Sequence, residues 1–286
     1  QRQMCIRDRS EDEKIARNHI CFEKPDTVVC VVDSTSLERN LNLVLQVAQM
    51  TDNMIVVLNL CDAAKKSGIM VNDEKLSEML GVPVVCATAK SGKGINELLE
   101  NIHNSVNNKN ENKSLKIIYS SPIEMAVRKL ERELKVILDG KDFNYRFLAE
   151  RILQDRDFID DLENHLKINL KDDYRFSSAL IKADEILERF GFTDDIGEMM
   201  GNEIIKKAKS IFEFCVKKDF SLDNKKSWAD KLLVGKYTST LSMLVVFAFI
   251  LWLTIVGSNY PSEMLKQLVD LGEVKICLLY TSDAAD

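Results

Sequence analysis

"MIVVLNLCDAAKKSG", residues 54–68, is the stretch whose reading decides the fold. Met54 to Leu58 is wholly apolar, and the run ends on Asn59 and Asp62 before the chain turns polar. A short apolar run bounded by polar residues predicts a strand buried on both faces, the kind found in parallel sheets. Burial penalises an amide or a carboxylate that lacks a partner. Asn59 and Asp62 are therefore candidates for a site at the strand's carboxyl end. The structural alternative is that Asp62 caps the next helix and Asn59 merely ends the strand.

The flanking sequence repeats the same alternation. "TVVCVVD" (27–33) predicts a strand buried on both faces, and "TSLERNLNLVLQVAQM" (35–50) a helix opened by a Thr35–Glu38 capping box. After the strand at 54–60 come a helix at 72–80, a strand "VPVVCAT" at 82–88 and a helix at 95–106. Strands separated by helices imply right-handed crossovers and a parallel sheet. Three strands are too few for a complete doubly wound domain, so its first half is expected to be missing.

The polar, non-periodic "NNKNENKS" (107–114) reads as the start of a linker. The expected organisation is an α/β part over 10–106, a linker over 107–118 and a helical domain over 119–226. That domain opens at Ser121 as N-cap, with Pro122 and Glu124 in the first turn. No strand is predicted from there to about Phe220. "SSALIKADEILERF", ending at Gly191, typifies its amphipathic helices.

Between Lys236 and Glu263 there is no charged residue, and "LSMLVVFAFILWLTIVG" (241–257) is almost wholly apolar. This predicts one transmembrane helix at about 238–258 within a 227–276 membrane-proximal segment, so the lipid bilayer is an expected partner. Trp252 and Tyr260 suit interfacial positions. Lys225, Lys226, Lys231 and Lys236 before the span, against Lys266 after it, place residues 10 to about 236 in the cytoplasm.

Composition narrows the function classes. A net charge of −6 over 286 residues argues against a nucleic-acid partner. The seven cysteines form no C-x-x-C pair and His19, His103 and His165 stand far apart, so no metal-ligand spacing occurs. Cys30 and Cys86 fall in apolar runs and read as small core residues of a reducing cytosol. The ends "QRQMCIRDR" (1–9) and "CLLYTSDAAD" (277–286) fit no element and are expected to be non-native, adaptor-derived sequence.

In open α/β sheets ligands bind beyond the carboxyl ends of the strands. Three polar clusters fall there: Asp33-Ser34-Thr35, Asn59-Leu60-Cys61-Asp62 and Ala87-Thr88-Ala89-Lys90. An ionised carboxylate accepts two parallel N–H bonds, a pair that guanine offers and adenine does not. Asn-x-x-Asp after a strand therefore suits guanine recognition. Asp33 reads as a helix-entry residue.

With "EKPDTVVCVVDSTSLERNLNLVLQV", "VVLNLCDAAKKSGI", "KLSEMLGVPVVCATAKSGKGINEL" and "LTIVGSNYPSEML", the chain resembles the ferrous iron transport protein B (FeoB) family over roughly residues 10–273. The fold class implied is α/β, the C-terminal half of a P-loop GTPase domain with a parallel sheet, followed by an all-α domain and one transmembrane helix. The resemblance implies that Asp62 binds the guanine edge while Asn59 braces the loop. Thr88, Ala89 and Lys90 would form the last recognition motif, a backbone N–H of Ala89 or Lys90 meeting the guanine carbonyl. Leu60 stands where most GTPases carry a lysine, keeping the packing over the base and losing the charge. The implied ligands are GTP or GDP, with Mg²⁺ in the intact parent and Fe²⁺ as the transported ion. The implied location is a bacterial inner membrane, and the implied partners are further transporter helices and a small accessory iron-transport protein. The helical domain would slow nucleotide release.

The sequence contains no G-x-x-x-x-G-K-[ST] phosphate loop and neither switch motif. GTP hydrolysis is expected of the intact parent and not of this stretch alone. "SEDEKIARNHI" (10–20) would be the helix that follows the second switch. A membrane-tethered G-like binding or scaffold module without hydrolysis is the alternative. A soluble ribosome-assembly GTPase is disfavoured by the charge-free span.

Overall fold

The computed structural model describes residues 11–107, 113–138, 141–192, 196–218 and 238–257. Those up to Lys218 belong to one unit, and the apolar helix at 238–257 belongs to another.

The first unit starts with α1 (Glu11–Asn18) and the strand β1 (Val28–Asp33). The predicted capping box does not form. Asp33 instead accepts the Thr35 N–H at 2.7 Å and leads through a short 3-10 turn into α2 (Leu37–Met50). A strand-end carboxylate two residues upstream reaches the first amides before Thr35 is in register to do so. Next come β2 (Met54–Asn59), α3 (Cys61–Lys66), β3 (Ile69–Val71) and α4 (Asp73–Leu80). Asn72 caps α4 through the Lys75 N–H at 2.8 Å. The strand β4 (Val84–Cys86) and α5 (Ile95–Asn107) complete this part.

The sheet is parallel, in the order β1-β2-β4, with Asp33 opposite Asn59 and Leu58 opposite Cys86. Every residue of β2 except Asn59 is buried, which is why its sequence is an unbroken apolar run. The expectation fails for β1. It stands at the edge of the described sheet, and Val31 is 58% exposed.

Helices α6 (Ser121–Ile137), α7 (Tyr145–Gln154), α8 (Phe158–Leu166), α9 (Tyr174–Arg189) and α10 (Ile196–Cys215) follow. Ser120 rather than Ser121 holds the N-cap position of α6, without a side-chain capping bond, and Glu124 reaches back to the Tyr119 N–H at 2.9 Å. In α6 the buried residues Ile123, Ala126, Val127, Leu130 and Leu134 recur at helical spacing, and this stripe packs on α7 and α9. One apolar core runs from Leu41 and Val44 of α2 through Leu130 of α6 to Ile211 of α10. The described part of 107–118 lies along α2, where Gln49 Oε1 accepts the Ile117 N–H at 3.1 Å. A strand that the sequence did not predict, β5 (Val216–Lys218), pairs antiparallel with β3. Two three-residue strands so far apart in sequence leave no periodicity to read.

The second unit is described by α11 (Thr238–Gly257). Residues 240–257 have a mean hydropathy of 2.4 and are wholly unburied, so the helix is long and apolar enough to cross a membrane. Trp252 stacks on Phe249 at 6.0 Å. The flanking lysines and Tyr260 lie outside the described residues, as do both end segments set aside above.

Candidate functional site

The parallel register brings two of the three polar clusters together at the carboxyl end of the sheet. The Asn59 side-chain oxygen accepts the Leu60 N–H at 2.9 Å and the Ala89 N–H at 3.2 Å. Thr88 Oγ1 donates to Asp62 Oδ1 at 3.4 Å. Lys90 occupies the exposed turn Ala89–Ser91 immediately after Thr88. Four of the five predicted site residues thus form a linked set, and the fifth adjoins it. Asp62 is exposed beyond its contact with Thr88, which leaves carboxylate lone pairs facing solvent.

The loops are built to hold this arrangement. Leu60 adopts a left-handed conformation, φ 59°, which costs an L-residue about 1–2 kcal/mol. The contact between Asn59 and the Leu60 N–H offsets part of that cost. The Leu60 side chain remains 40% exposed beside Asp62. Across the gap, Ala87 N–H donates to Leu58 O at 2.8 Å, and Cys61 N–H reaches Ala87 O at 3.4 Å. Thr88 N–H donates to Lys93 O at 3.0 Å, folding the second loop back on itself.

Three further residues, none of them among the predicted site residues, support the site. Ser34 Oγ donates to Asn59 O at 2.6 Å, tying the first cluster to the second. Cys61 and Cys86 are joined in a disulfide, with Cα atoms 6.2 Å apart. This corrects the reading of Cys86 as a reduced core residue: pairing Cys86 with Leu58 sets it beside the turn that carries Cys61. Cys30 is a buried free thiol, and burial pushes it up to about 11. Nothing in the spacing of the cysteines signals the bond, because it depends on the sheet register.

Acidic side chains of the helical part are engaged elsewhere. Asp161 pairs with Arg17 of α1 at 2.7 Å, and Asp155 with Arg151 at 2.6 Å. Arg146 bridges Glu124 at 2.6 Å and Glu150 at 2.8 Å. Burial pushes Glu150 up to about 7, with Arg146 pulling the other way and Glu124 adding to the rise. Burial would also raise Glu124, but hydrogen bonds from Arg146 and the Tyr119 N–H hold it below the usual carboxylate range.

A parallel sheet whose strand ends carry an amide-braced loop and a solvent-facing carboxylate is a G-domain-type α/β arrangement. Residues 4–102 match the family model of "Ferrous iron transport protein B", a match that begins inside the stretch 1–9 set aside above. The chain is 31% identical over 184 residues to a Porphyromonas gingivalis "Fe(2+) transport protein A/Fe(2+) transporter FeoB fusion protein", covering 56% of this chain and 22% of that one. It is 42% identical over 86 residues to a Helicobacter pylori "Fe(2+) transporter FeoB", covering 30% and 13%. The chain thus spans less than a quarter of the length of these two relatives. Among solved structures, the cytosolic domain of T. maritima FeoB in GDP form I aligns over 73% of this chain and 74% of that one, with a TM-score of 0.53 and 26% identity. A single-site mutant of S. thermophilus NFeoB bound to GMPPNP shares the fold with a TM-score of 0.60 over 72% of this chain and 76% of that one, at 24% identity. Over residues 4–102 the chain thus matches the ferrous iron transport protein B family, and its fold is similar to that family's cytosolic domain.

Proposed function

We propose that the chain contributes the base-reading part of a guanine-nucleotide switch to a ferrous iron transporter of a bacterial inner membrane. The observation that carries this reading is the convergence of Asn59, Asp62, Thr88 and Ala89 at the carboxyl end of the parallel sheet. The Asp62 carboxylate accepts the two edge N–H groups of guanine. Because Asn59 Oδ1 already accepts two backbone N–H bonds, its amide nitrogen is the donor left for a ring nitrogen of the base. The Ala89 N–H is likewise committed to Asn59, so the Lys90 N–H is assigned to the guanine carbonyl. Leu60, exposed beside Asp62, packs over the base plane.

The proposed organisation is a G-domain part over 10–106, a linker over 107–118, a helical domain over 119–226 that slows nucleotide release, and a span within 227–276. GTP and GDP are the proposed ligands, and Fe²⁺ is the transported ion. No magnesium-dependent step is assigned to residues of this chain, whose sequence has no phosphate-loop motif. The apolar helix α11 supports a place in the lipid bilayer beside further transporter helices, with residues 10 to about 236 cytoplasmic. The P. gingivalis relative, named as a fusion with Fe(2+) transport protein A, supports a small accessory iron-transport protein as partner.

The test is nucleotide choice in the full-length transporter. Asp62→Asn turns an acceptor into a donor, so guanine nucleotide should bind at least about tenfold more weakly and xanthine nucleotide more tightly. Competition of a fluorescent GDP by GDP, XDP and ADP reads both effects. Guanine preference unchanged by Asp62→Asn overturns the assignment.

A further inference from the structure

We propose that Cys61 and Cys86 are a reversible redox pair whose oxidation clamps the two base-reading loops together. The clamp's effect on nucleotide release rests on the function proposed above; the clamp itself does not. The disulfide joins the two segments that carry the recognition elements. Cys61 separates Leu60 from Asp62, and Cys86 stands two residues before Thr88. Cys61 is 9% exposed and Cys86 is half-buried, next to the exposed residues Leu60, Asp62 and Ala89. Cys61 belongs to the buried core, so the half-buried Cys86 is the member of the pair that a small reagent meets first from solvent.

Without the bond, the gap between the two segments is held by three long hydrogen bonds, of which the Ala89 contact is exposed and the Thr88 contact part-buried. These are Ala89 N–H to Asn59 at 3.2 Å, Thr88 Oγ1 to Asp62 at 3.4 Å and Cys61 N–H to Ala87 O at 3.4 Å. Such bonds open locally with little free-energy cost, because water replaces each partner. The Ala87 N–H bond to Leu58 O at 2.8 Å belongs to the sheet and stays closed. Reduction then frees residues 88–91 to lift away from 59–62 as a unit. Oxidation restricts that motion, because it ties Cys61 covalently to the fixed end of β4 from which residues 88–91 extend.

The chemistry balances with a peroxide as oxidant. One cysteine sulfur attacks a peroxide oxygen, the O–O bond breaks, and water leaves behind a sulfenic acid. The second cysteine sulfur displaces the hydroxyl from that sulfur as a second water, forming the S–S bond. Two thiols and one hydrogen peroxide give one disulfide and two waters. A dithiol reverses the bond by exchange through a mixed disulfide. Cys30 is buried with its thiol pushed up to about 11, so it holds little thiolate and does not compete.

The test treats the full chain in detergent with hydrogen peroxide or with dithiothreitol, then maps cysteine pairing by mass spectrometry and amide exchange by deuterium uptake. The expected result is a cross-link between the Cys61 and Cys86 peptides only after peroxide. Amides at 60–62 and 88–91 should then exchange several-fold faster in the reduced chain, while those around Leu130 of α6 stay unchanged. Absence of the cross-link after peroxide overturns the proposal, as does equal exchange of the two loops in both states. A second arm measures fluorescent GDP release from the full-length transporter, expected to be several-fold faster after reduction. Equal release rates from a nucleotide-bound protein overturn the switch. If no guanine nucleotide binds in either state while loop exchange still responds, the guanine reading falls and the clamp stands.

Discussion

Asn59 and Ala89 lie thirty residues apart in sequence, yet the Asn59 side-chain oxygen accepts the Ala89 N–H at 3.2 Å. The same oxygen holds the Leu60 N–H at 2.9 Å, so one side chain fixes the first residues of both loops. The site's shape depends on that amide more than on any single group facing solvent.

Asn59→Ala should therefore loosen both loops while leaving the sheet intact. Two neutral hydrogen bonds are each worth about 0.5–1.5 kcal/mol net. On the proposed function, this weakens guanine-nucleotide affinity roughly tenfold or more. Deuterium exchange at Leu60 and Ala89 should accelerate while amides in β2 remain protected. Unchanged exchange at Ala89 would show that the loop does not depend on Asn59.

Gly94 reaches the site by a different route. It has φ +82°, and a Cβ placed there would lie 2.4 Å from the Cys86 carbonyl oxygen. Gly92 has a similar φ, +73°, but open space around it. Gly92→Ala should cost about 1–2 kcal/mol, the backbone strain alone. Gly94→Ala adds a clash with the end of β4 and should cost more, with a lower Tm and displaced Thr88 and Ala89. Equal Tm losses for the two variants would remove the clash from the argument.

How much of this was readable follows from what each feature depends on. β2 and α4 were legible because burial and helical spacing leave a local pattern in Met54–Leu58 and Asp73–Leu80. The position of Asn59 and Asp62 at the carboxyl end of β2 was legible because the apolar run stops there. The Cys61–Cys86 bond, the β3–β5 pairing and the Ser34 contact were not, since each joins segments that only the sheet register and the packing of α10 bring together. The capping of α2 was misread because Asp33, taken correctly as a helix-entry residue, displaced Thr35 from the role. Val31 was misread because an edge strand and a central strand share one apolar pattern.

Helix α11 makes a prediction independent of the nucleotide site. Ile250 lies near the middle of the span at 240–257. An arginine there costs about 2.5–3.5 kcal/mol for insertion at a helix centre. Ile250→Arg should shift the protein from the carbonate-resistant membrane fraction to the soluble or degraded fraction. Ile250→Leu should leave it in place. Retention of the arginine variant at wild-type level would contradict a spanning role for α11.

The ion cluster Glu124–Arg146–Glu150 gives a signed pH dependence. Glu150 is 2% exposed, and burial raises it from its ordinary value near 4.5 to about 7. The folded chain then holds a proton that the unfolded chain releases, so Glu150 lowers stability as pH rises through the window from about 4.5 to about 7. Above that window its buried charge counts against the folded state. Glu124 works in the opposite sense: its contribution, held by Arg146 and Tyr119, is lost as pH falls through its lowered value. Glu150→Gln keeps the shape and removes the titration, while Arg146 keeps Glu124 as its partner. The variant should match wild type near pH 5 and exceed it in Tm by several degrees at pH 8. A variant less stable than wild type at pH 8 would mean that the ionised Glu150–Arg146 pair stabilises the fold and that burial does not govern the titration.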